Sequence, residues 1–369
     1  MNAPVQTLPQ PAKPLKYTLI GQPNSSGIGT HTANFWHHFG QVSGLNTVLG
    51  FVDYSDIPAL ETAMLASKPE DINISFTGTQ LQGYFRGCNI NWTVFESTRI
   101  PSAQMPMMLS HDIWVPTQWG RDIAIQNGVD PKKIWVVPEG VDGNIFHPYL
   151  MPRLPRPFRF LIVGKYEVRK GYDELLKAFA AEFGNDSAVE LVIKSDFFKD
   201  PEEHRAELEA KIAATGCNNI RLIWGYQSTF EISNLYRTAD VFVFPTRAEG
   251  WGLPLIEAAA VGLPIITTKY SGHMEFLQHI EDSCLFIDHE IRPNDSAEYQ
   301  SFFPEADGNY GVWAVPDADH LQKLMRDSYD DFARLKMRAL NNSAVIRRDF
   351  SWNNSVVCAL EALRNRRVA

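Results

Sequence analysis

Short apolar runs rich in Val, Ile, Phe and Trp recur along the whole chain, separated by stretches whose apolar positions follow helical spacing. That alternation predicts parallel sheets covered by helices. In the first half, strands are expected at residues 17–21, 47–52, 72–76, 91–95, 113–116 and 134–137, with a helix through Phe35 to Phe39. Residues 144–157 then carry Pro148, Pro152, Pro155 and Pro157, which forbid a continuing helix and suit a link between domains. The pattern restarts with strands at 158–163, 190–194, 220–224, 241–245 and 264–267, and helices at 173–183, 201–214, 231–237 and 255–261. Residues 330–368 read as mostly helical, and no internal repeat is visible. The expected fold is α/β, with two doubly wound, Rossmann-like domains. Their expected limits are 15–150 and 151–345, with a Pro-, Ala- and Gln-rich disordered tail at 1–14 and a last helix at 346–369.

Composition changes this picture little. A chain of 369 residues is long enough for two proper cores. A formal charge of -9 argues against nucleic acid, which needs clustered Lys and Arg to neutralise phosphates. The charge is uneven: up to Pro157 there are 10 basic against 11 acidic residues, and beyond it 24 against 32. Cys88, Cys217, Cys284 and Cys358 lie far apart, as free thiols in a reducing compartment would. No apolar run is long enough to span a membrane, and the N-terminus lacks an apolar leader. The expectation is a cytoplasmic protein, with association to the inner face of the membrane or to a multi-enzyme assembly left open.

In open parallel sheets, ligands bind beyond the C-terminal strand ends, and four expected strands end in residues suited to a sugar diphosphate. After the first comes Ser25-Ser26-Gly27-Ile28-Gly29-Thr30, where Gly27 and Gly29 let backbone approach an anion at a helix start. A plain structural turn explains that segment equally well. After residues 158–163, Lys165, Arg169 and Lys170 suit a leaving diphosphate that gains charge. Of these, Lys165 and Lys170 are the expected ligands, and Arg169 is expected in a solvated loop. After residues 220–224, Gly225 would let a nucleobase lie against backbone and Tyr226 would cover it. The fourth end leads into Glu249-Gly250-Trp251-Gly252-Leu253-Pro254-Leu255-Ile256-Glu257. One carboxylate there suits sugar hydroxyls and the other a ribose diol. Glu249 is expected on a loop in apolar surroundings, and Glu257 near a helix start, where favour from the helix dipole is the competing explanation.

The frame EGWGLPLIE resembles the paired-glutamate motif of retaining GT-B glycosyltransferases of family four, the group 1 glycosyltransferases. VGKYEVRKGYDELLKAF, VVPEGVDGNIFHP, SHDIWVPTQWGRDI, LYRTADVFVFPT and Phe350-Ser351-Trp352 fit the same family, so the likeness runs in order over residues 17 to 360. The resemblance implies a GT-B fold whose two domains face each other across a cleft. It implies that Glu249 holds the donor sugar, Glu257 the ribose, and Lys165 and Lys170 the diphosphate, with Gly27 and Gly29 closing from the other domain. Gly225 and Tyr226 would flank the base, while Gly250, Trp251, Gly252 and Leu253 present backbone amides. The last helix would return to the N-terminal domain.

Three departures from the family pattern stand out. Lys165 replaces a frequent Arg and loses its bidentate fork. Glu96 stands where an acceptor-side His is common, as a catalytic or a structural acid. Ser271-Gly272-His273-Met274-Glu275 replaces a Gly-rich turn. Asp317-Ala318-Asp319 matches a metal-binding Asp-x-Asp pattern, but a Pro before it and a helix after it favour capping. No metal and no cofactor are expected. His37 and His38 read as partly exposed helix residues, and His31 stays open. The implied activity is metal-independent, retaining transfer of a mannose- or glucose-type hexose from a GDP- or UDP-sugar (GDP-mannose or UDP-glucose) to a glycan or glycolipid hydroxyl. Bacterial surface polysaccharide assembly is the implied setting. The rivals are a non-catalytic nucleotide-sugar-binding subunit, and an epimerase or phosphorylase of the same fold.

Overall fold

The computed structural model describes residues 16–22, 27–42, 48–76, 85–149, 156–197, 199–302 and 308–366. The expected tail, Ser25-Ser26, Pro152 and Pro155 lie outside them.

The first sheet holds β1 (Lys16–Gly21), β2 (Val48–Asp53), β3 (Ile72–Phe76), β4 (Cys88–Trp92), β5 (Asp112–Val115) and β6 (Ile134–Val136). Its order is β2-β1-β3-β4-β5-β6, and every pairing is parallel. Helices α1 (Gly27–Val42), α2 (Ile57–Ala66), α3 (Met105–Ser110) and α4 (Gln118–Gln126) fill its connections. The fourth strand begins three residues earlier than the apolar pattern suggests. Thr93 still donates its amide to the Trp114 carbonyl, but beyond it Val94 turns into the space between the halves while Phe95 enters a core of the first half.

The second sheet holds β7 (Phe158–Val163), β8 (Val189–Ser195), β9 (Ile220–Trp224), β10 (Val241–Phe244), β11 (Ile265–Thr268) and β12 (Cys284–Ile287) in the order β12-β11-β10-β7-β8-β9. It too is wholly parallel. Around it lie α5 (Tyr172–Phe183), α6 (Pro201–Ala214), α7 (Thr229–Arg237), α8 (Leu253–Val261) and α9 (Met274–Leu277). The two-sided apolar runs of these strands are explained by helices on both faces, and their residues fill the larger core. Each sheet reverses its winding once, between β1 and β3 and between β7 and β10. Such a reversal leaves a crevice at the strand ends, because the neighbouring connections depart to opposite faces.

An arm absent from the sequence-based expectation follows β12. It is the antiparallel pair β13 (His289–Pro293) and β14 (Val312–Pro316), with α10 (Ala297–Phe302) between them. The chain ends in α11 (Ala318–Asp330), α12 (Phe332–Asp349) and α13 (Trp352–Arg366). Asp317 caps α11 by accepting bonds from the Asp319 and His320 amides, so Asp317-Ala318-Asp319 has its capping role. Helix α12 packs on α8, whereas α13 packs on α1 and adds Trp352, Val356 and Ala359 to the first core. The return passes Gly140, where a β-carbon would stand 2.3 Å from the Trp352 amide nitrogen. Among the described residues, no helix is long and apolar enough to cross a membrane.

Candidate functional site

A cavity of about 740 Å³ lies between the two halves, lined from both winding reversals. Its volume is in the range of small-molecule and cofactor sites. The loop after β7 brings Lys165, Arg169 and Lys170, and the loop after β10 brings Glu249, Gly250, Trp251 and Gly252. Gly27 and Ile28 enter from the first half, together with His31 and Glu96.

The centre of the site is a buried charge cluster. Arg169 Nη1 donates to the Ala248 carbonyl (2.7 Å) and to Glu249 Oε1 (2.7 Å). Lys170 Nζ and Thr246 Oγ1 donate to that same oxygen at 2.7 and 2.8 Å. Arg169 Nη2 reaches Glu167 Oε2 (2.8 Å) and, across the cleft, Glu96 Oε1 (2.7 Å). Burial alone would raise the pKa of Glu249. The two cations and the bonds from Lys170 and Thr246 overcome that and hold it at about 2. The carboxylate is thus ionised at any working pH. All three bonds fall on Oε1, so that oxygen is locked in place.

This geometry corrects two expectations. Arg169 is not in a solvated loop. Residues Val168–Lys170 form one 3₁₀ turn, closed by Gly171 at φ +73°, where a β-carbon would stand 2.1 Å from the Pro245 carbonyl oxygen. That close approach turns Arg169 inward, where it is only 6% exposed. Nor are the surroundings of Glu249 apolar. Its sequence neighbours Ala248 and Trp251 are, but the two cations that pair with it come from about eighty positions earlier.

The Glu249 backbone is pinned from behind. Its amide donates to Ser271 Oγ (2.8 Å), and the Gly272 amide donates to its carbonyl (2.9 Å). Ser271 sits at φ +69°, a conformation costly for a side chain of its type. The neighbouring His273 is fully buried and gives Nε2 to the Thr268 carbonyl at 2.8 Å; burial lowers its pKa and keeps it neutral. The segment 271–275 therefore supports Glu249, and none of it lines the cavity.

Glu257 is the fifth residue of α8, beyond the first turn, so dipole favour does not explain it. Its carboxylate accepts from Tyr236 OH at 3.0 Å and lines the cavity. Burial raises its pKa to about 8, against the lowering effect of that bond. A ribose diol donating to it would favour the ionised form. Nucleotide affinity is therefore expected to rise with pH, by up to about tenfold per unit, until it levels near pH 8. Titration calorimetry from pH 6 to 9 checks this; Glu257→Gln should flatten the dependence, and an unchanged slope would count against ribose at this residue.

The other expected residues are placed unevenly. Lys165 and Leu253 line the cavity. Tyr226 lines it too and is 70% exposed, whereas Gly225, at φ +93°, only makes the turn before it. Gly27 and Gly29 belong to the first turn of α1 rather than to a loop; Gly27 faces Leu253 of the other half, and Gly29 is buried outside the lining. Gly250 answers to a steric need: a β-carbon there would stand 2.5 Å from Val94 Cβ, across the cleft. The Trp251 ring packs into the core against Phe276 and Phe350.

Sequence reasoning missed Lys194, Asp196 and Glu139. Lys194 lies 3.1 Å from Asp196 and lines the cavity. It is the last residue of an expected strand, so the strand-end rule had the signal to find it. Glu139 Oε1 lies 3.3 Å from His31 Nδ1, and the His31 ring sits among Phe76, Trp92 and Trp352. His37 is exposed and His38 half-buried, as expected. Among the described residues, no group of three or more His, Cys, Asp or Glu is placed to hold a metal ion.

Comparison with known proteins agrees with this architecture. Residues 153–299 match the family model for glycosyl transferases group 1. Mannosylfructose-phosphate synthase of Agrobacterium fabrum is 28% identical over 163 residues, 41% of this chain and 36% of that protein. D-inositol 3-phosphate glycosyltransferase of Segniliparus rotundus is 32% identical over 153 residues, 39% of this chain and 33% of that protein. The aligned stretch thus spans about a third of the length of these curated relatives. Anabaena HepE, solved in complex with UDP and glucose, superposes with a TM-score of 0.72 at 13% identity, covering 95% of this chain and 100% of that one. The fold is GT-B, two parallel six-stranded sheets with alternating helices.

Proposed function

We propose that this chain is a retaining hexosyltransferase that moves a mannose- or glucose-type sugar from a GDP- or UDP-sugar to a hydroxyl of a glycan or glycolipid. The observation that carries this reading is Glu249, ionised and held by Arg169 and Lys170 at the reversal point of the second sheet, facing the other half across the cavity. The halves 15–150 and 151–345 would serve acceptor and donor respectively, with 346–369 tying the second to the first.

In this reading the donor's diphosphate lies against Lys165 and Lys170, with the base toward Tyr226 and the ribose on Glu257. Arg169 acts through Glu249, which it orients. The carbon–oxygen bond from sugar to diphosphate breaks, and its electron pair leaves on the phosphate oxygen. Cations already in place stabilise the charge that develops there, with no reorganisation at the moment of reaction. The acceptor oxygen bonds to the anomeric carbon on the same face, and its proton passes to the departing phosphate oxygen. These lysines supply the positive charge that a metal supplies elsewhere, so transfer is expected without added divalent ions. The match of residues 153–299 to group 1 glycosyl transferases supports sugar transfer itself; a cytoplasmic setting in bacterial surface polysaccharide assembly is part of the proposal.

A thermal-shift screen against GDP, UDP and their common sugars, without metal, tests the donor assignment. A ligand at a hundredfold excess over its Kd should add roughly 2.7 kcal/mol of apparent stability. One base should stand out, and its shift should vanish in Lys170→Ala. No shift with any nucleotide, with or without magnesium, would remove the donor site.

A further inference from the structure

Beside the main cavity lies a second one of about 190 Å³ that shares Ile28, Val94 and Glu96 with it. The two spaces therefore meet at Glu96. Liquid water takes about 30 Å³ per molecule, so this space displaces on the order of six waters. That is room for one six-membered ring. Phe95, Met107 and Met108 give it an apolar wall, and Gln104 gives a polar position. The facing wall is Tyr299, which comes from the arm of the second half.

The arm is fastened to both halves. Trp313 Nε1 donates to the Glu96 carbonyl at 2.6 Å, and the Val312 amide to Thr98 Oγ1 at 2.9 Å. Ser97 Oγ donates to the Tyr310 carbonyl. On the other side, the Val168 amide donates to Glu298 Oε2 at 2.7 Å, next to Arg169. The Tyr299 ring stands edge-on to Trp313, with centroids 5.4 Å apart. A polyol ring has an apolar face of C–H groups and a polar rim. An aromatic wall, methionines and a carboxylate at the mouth match both.

Resting on the donor reading above, we propose that this cavity takes the acceptor as a single polyol ring, monosaccharide or cyclitol, between Met107 and Tyr299. Its reacting hydroxyl then points to Glu96 and the main cavity. Tyr299 is the specificity-determining residue, and Trp313 is a positioning residue that fixes the Glu96 backbone. The acceptor hydroxyl gives its oxygen to the anomeric carbon and its proton to the leaving phosphate, as above. Glu96 only orients it.

The test is saturation-transfer NMR on the full chain saturated with UDP or GDP, with methyl glucopyranoside, methyl mannopyranoside and myo-inositol as probes. The two pyranosides and the cyclitol separate the two sources of a polyol ring. At least one should give signal in the wild type, retained in Tyr299→Phe and reduced at least about tenfold in Tyr299→Ala and Met107→Trp, both still binding nucleotide. Trp313→Phe should weaken the same probe about tenfold and leave nucleotide affinity unchanged, which a general loss of folding would not do. If nucleotide binds but no probe does, or if the probe signal survives Tyr299→Ala and Met107→Trp, the inference is overturned alone. If no nucleotide binds the wild type, the donor reading falls and takes this inference with it.

Discussion

Glu249→Gln should lose kcat/KM by on the order of 10²- to 10³-fold and should also melt earlier than the parent. The activity loss follows from the proposed role, because a fixed charge aimed at the reacting sugar is worth that much in a closed site. The stability loss follows from the structure alone. Lys170 is 7% exposed and forms its ion pair with Glu249, with the Phe244 ring 5.0 Å away; Arg169 keeps Glu96 and Glu167, but both cations lose the carboxylate between them. Breaking a buried pair from one side leaves a charge in low dielectric with nothing to offset it, which costs about 3–5 kcal/mol. A nucleoside diphosphate would bring its own negative charge to Lys170, so it should restore part of the lost melting temperature. Steady-state kinetics and calorimetric melting, with and without nucleotide, measure all of this. Activity within about threefold of the parent would show that the carboxylate is structural only.

Gly272→Ala should reach nearly the same end without touching a charge. Its β-carbon would stand 2.2 Å from the Gly250 carbonyl oxygen and 2.7 Å from that of Glu249. Both are backbone atoms of the segment that carries the carboxylate, so no side chain can swing aside. The segment must shift, and Glu249 must shift with it against Arg169 and Lys170. A misplacement of about 1 Å is enough to lower turnover roughly 10²-fold, and overpacking of this kind destabilises by roughly 1–3 kcal/mol. Gly128→Ala is the control. Gly128 has φ +94° but nothing within 4 Å of an added β-carbon, so only the conformational penalty applies there. That variant should melt slightly earlier and keep full activity. Equal activity losses in the two would mean that the effect is not steric delivery of Glu249.

The arm explains why part of the site was hidden from the chain's pattern. Residues 289–316 offer no long periodic run: β13 is largely exposed, and α10 is a short helix with no buried residue. What stabilises the arm is a set of bonds to Glu96, Thr98 and Val168, far away in sequence. The strand at 284–287 was missed for a related reason. It is four residues long at a sheet edge and carries little pattern of its own.

What the sequence determined by itself is the alternation of strands and helices, and with it the two doubly wound sheets. The apolar periods are local, and strands buried on both faces announce themselves wherever they occur. Residues 72–76, 158–163, 201–214 and 220–224 emerge with the limits their pattern predicts. The strand-end rule likewise brought Lys165, Lys170, Glu249 and Glu257 to one cavity. Only the tertiary structure decided which charges meet. Arg169 looks like a solvent-facing cation until Gly171 packs on Pro245 and turns it onto Glu249. The steric need for Gly250 appears only when Val94 arrives from the other half. Coulomb energies and steric contacts depend on distances of a few ångströms between residues far apart in the chain, and no local pattern encodes those distances.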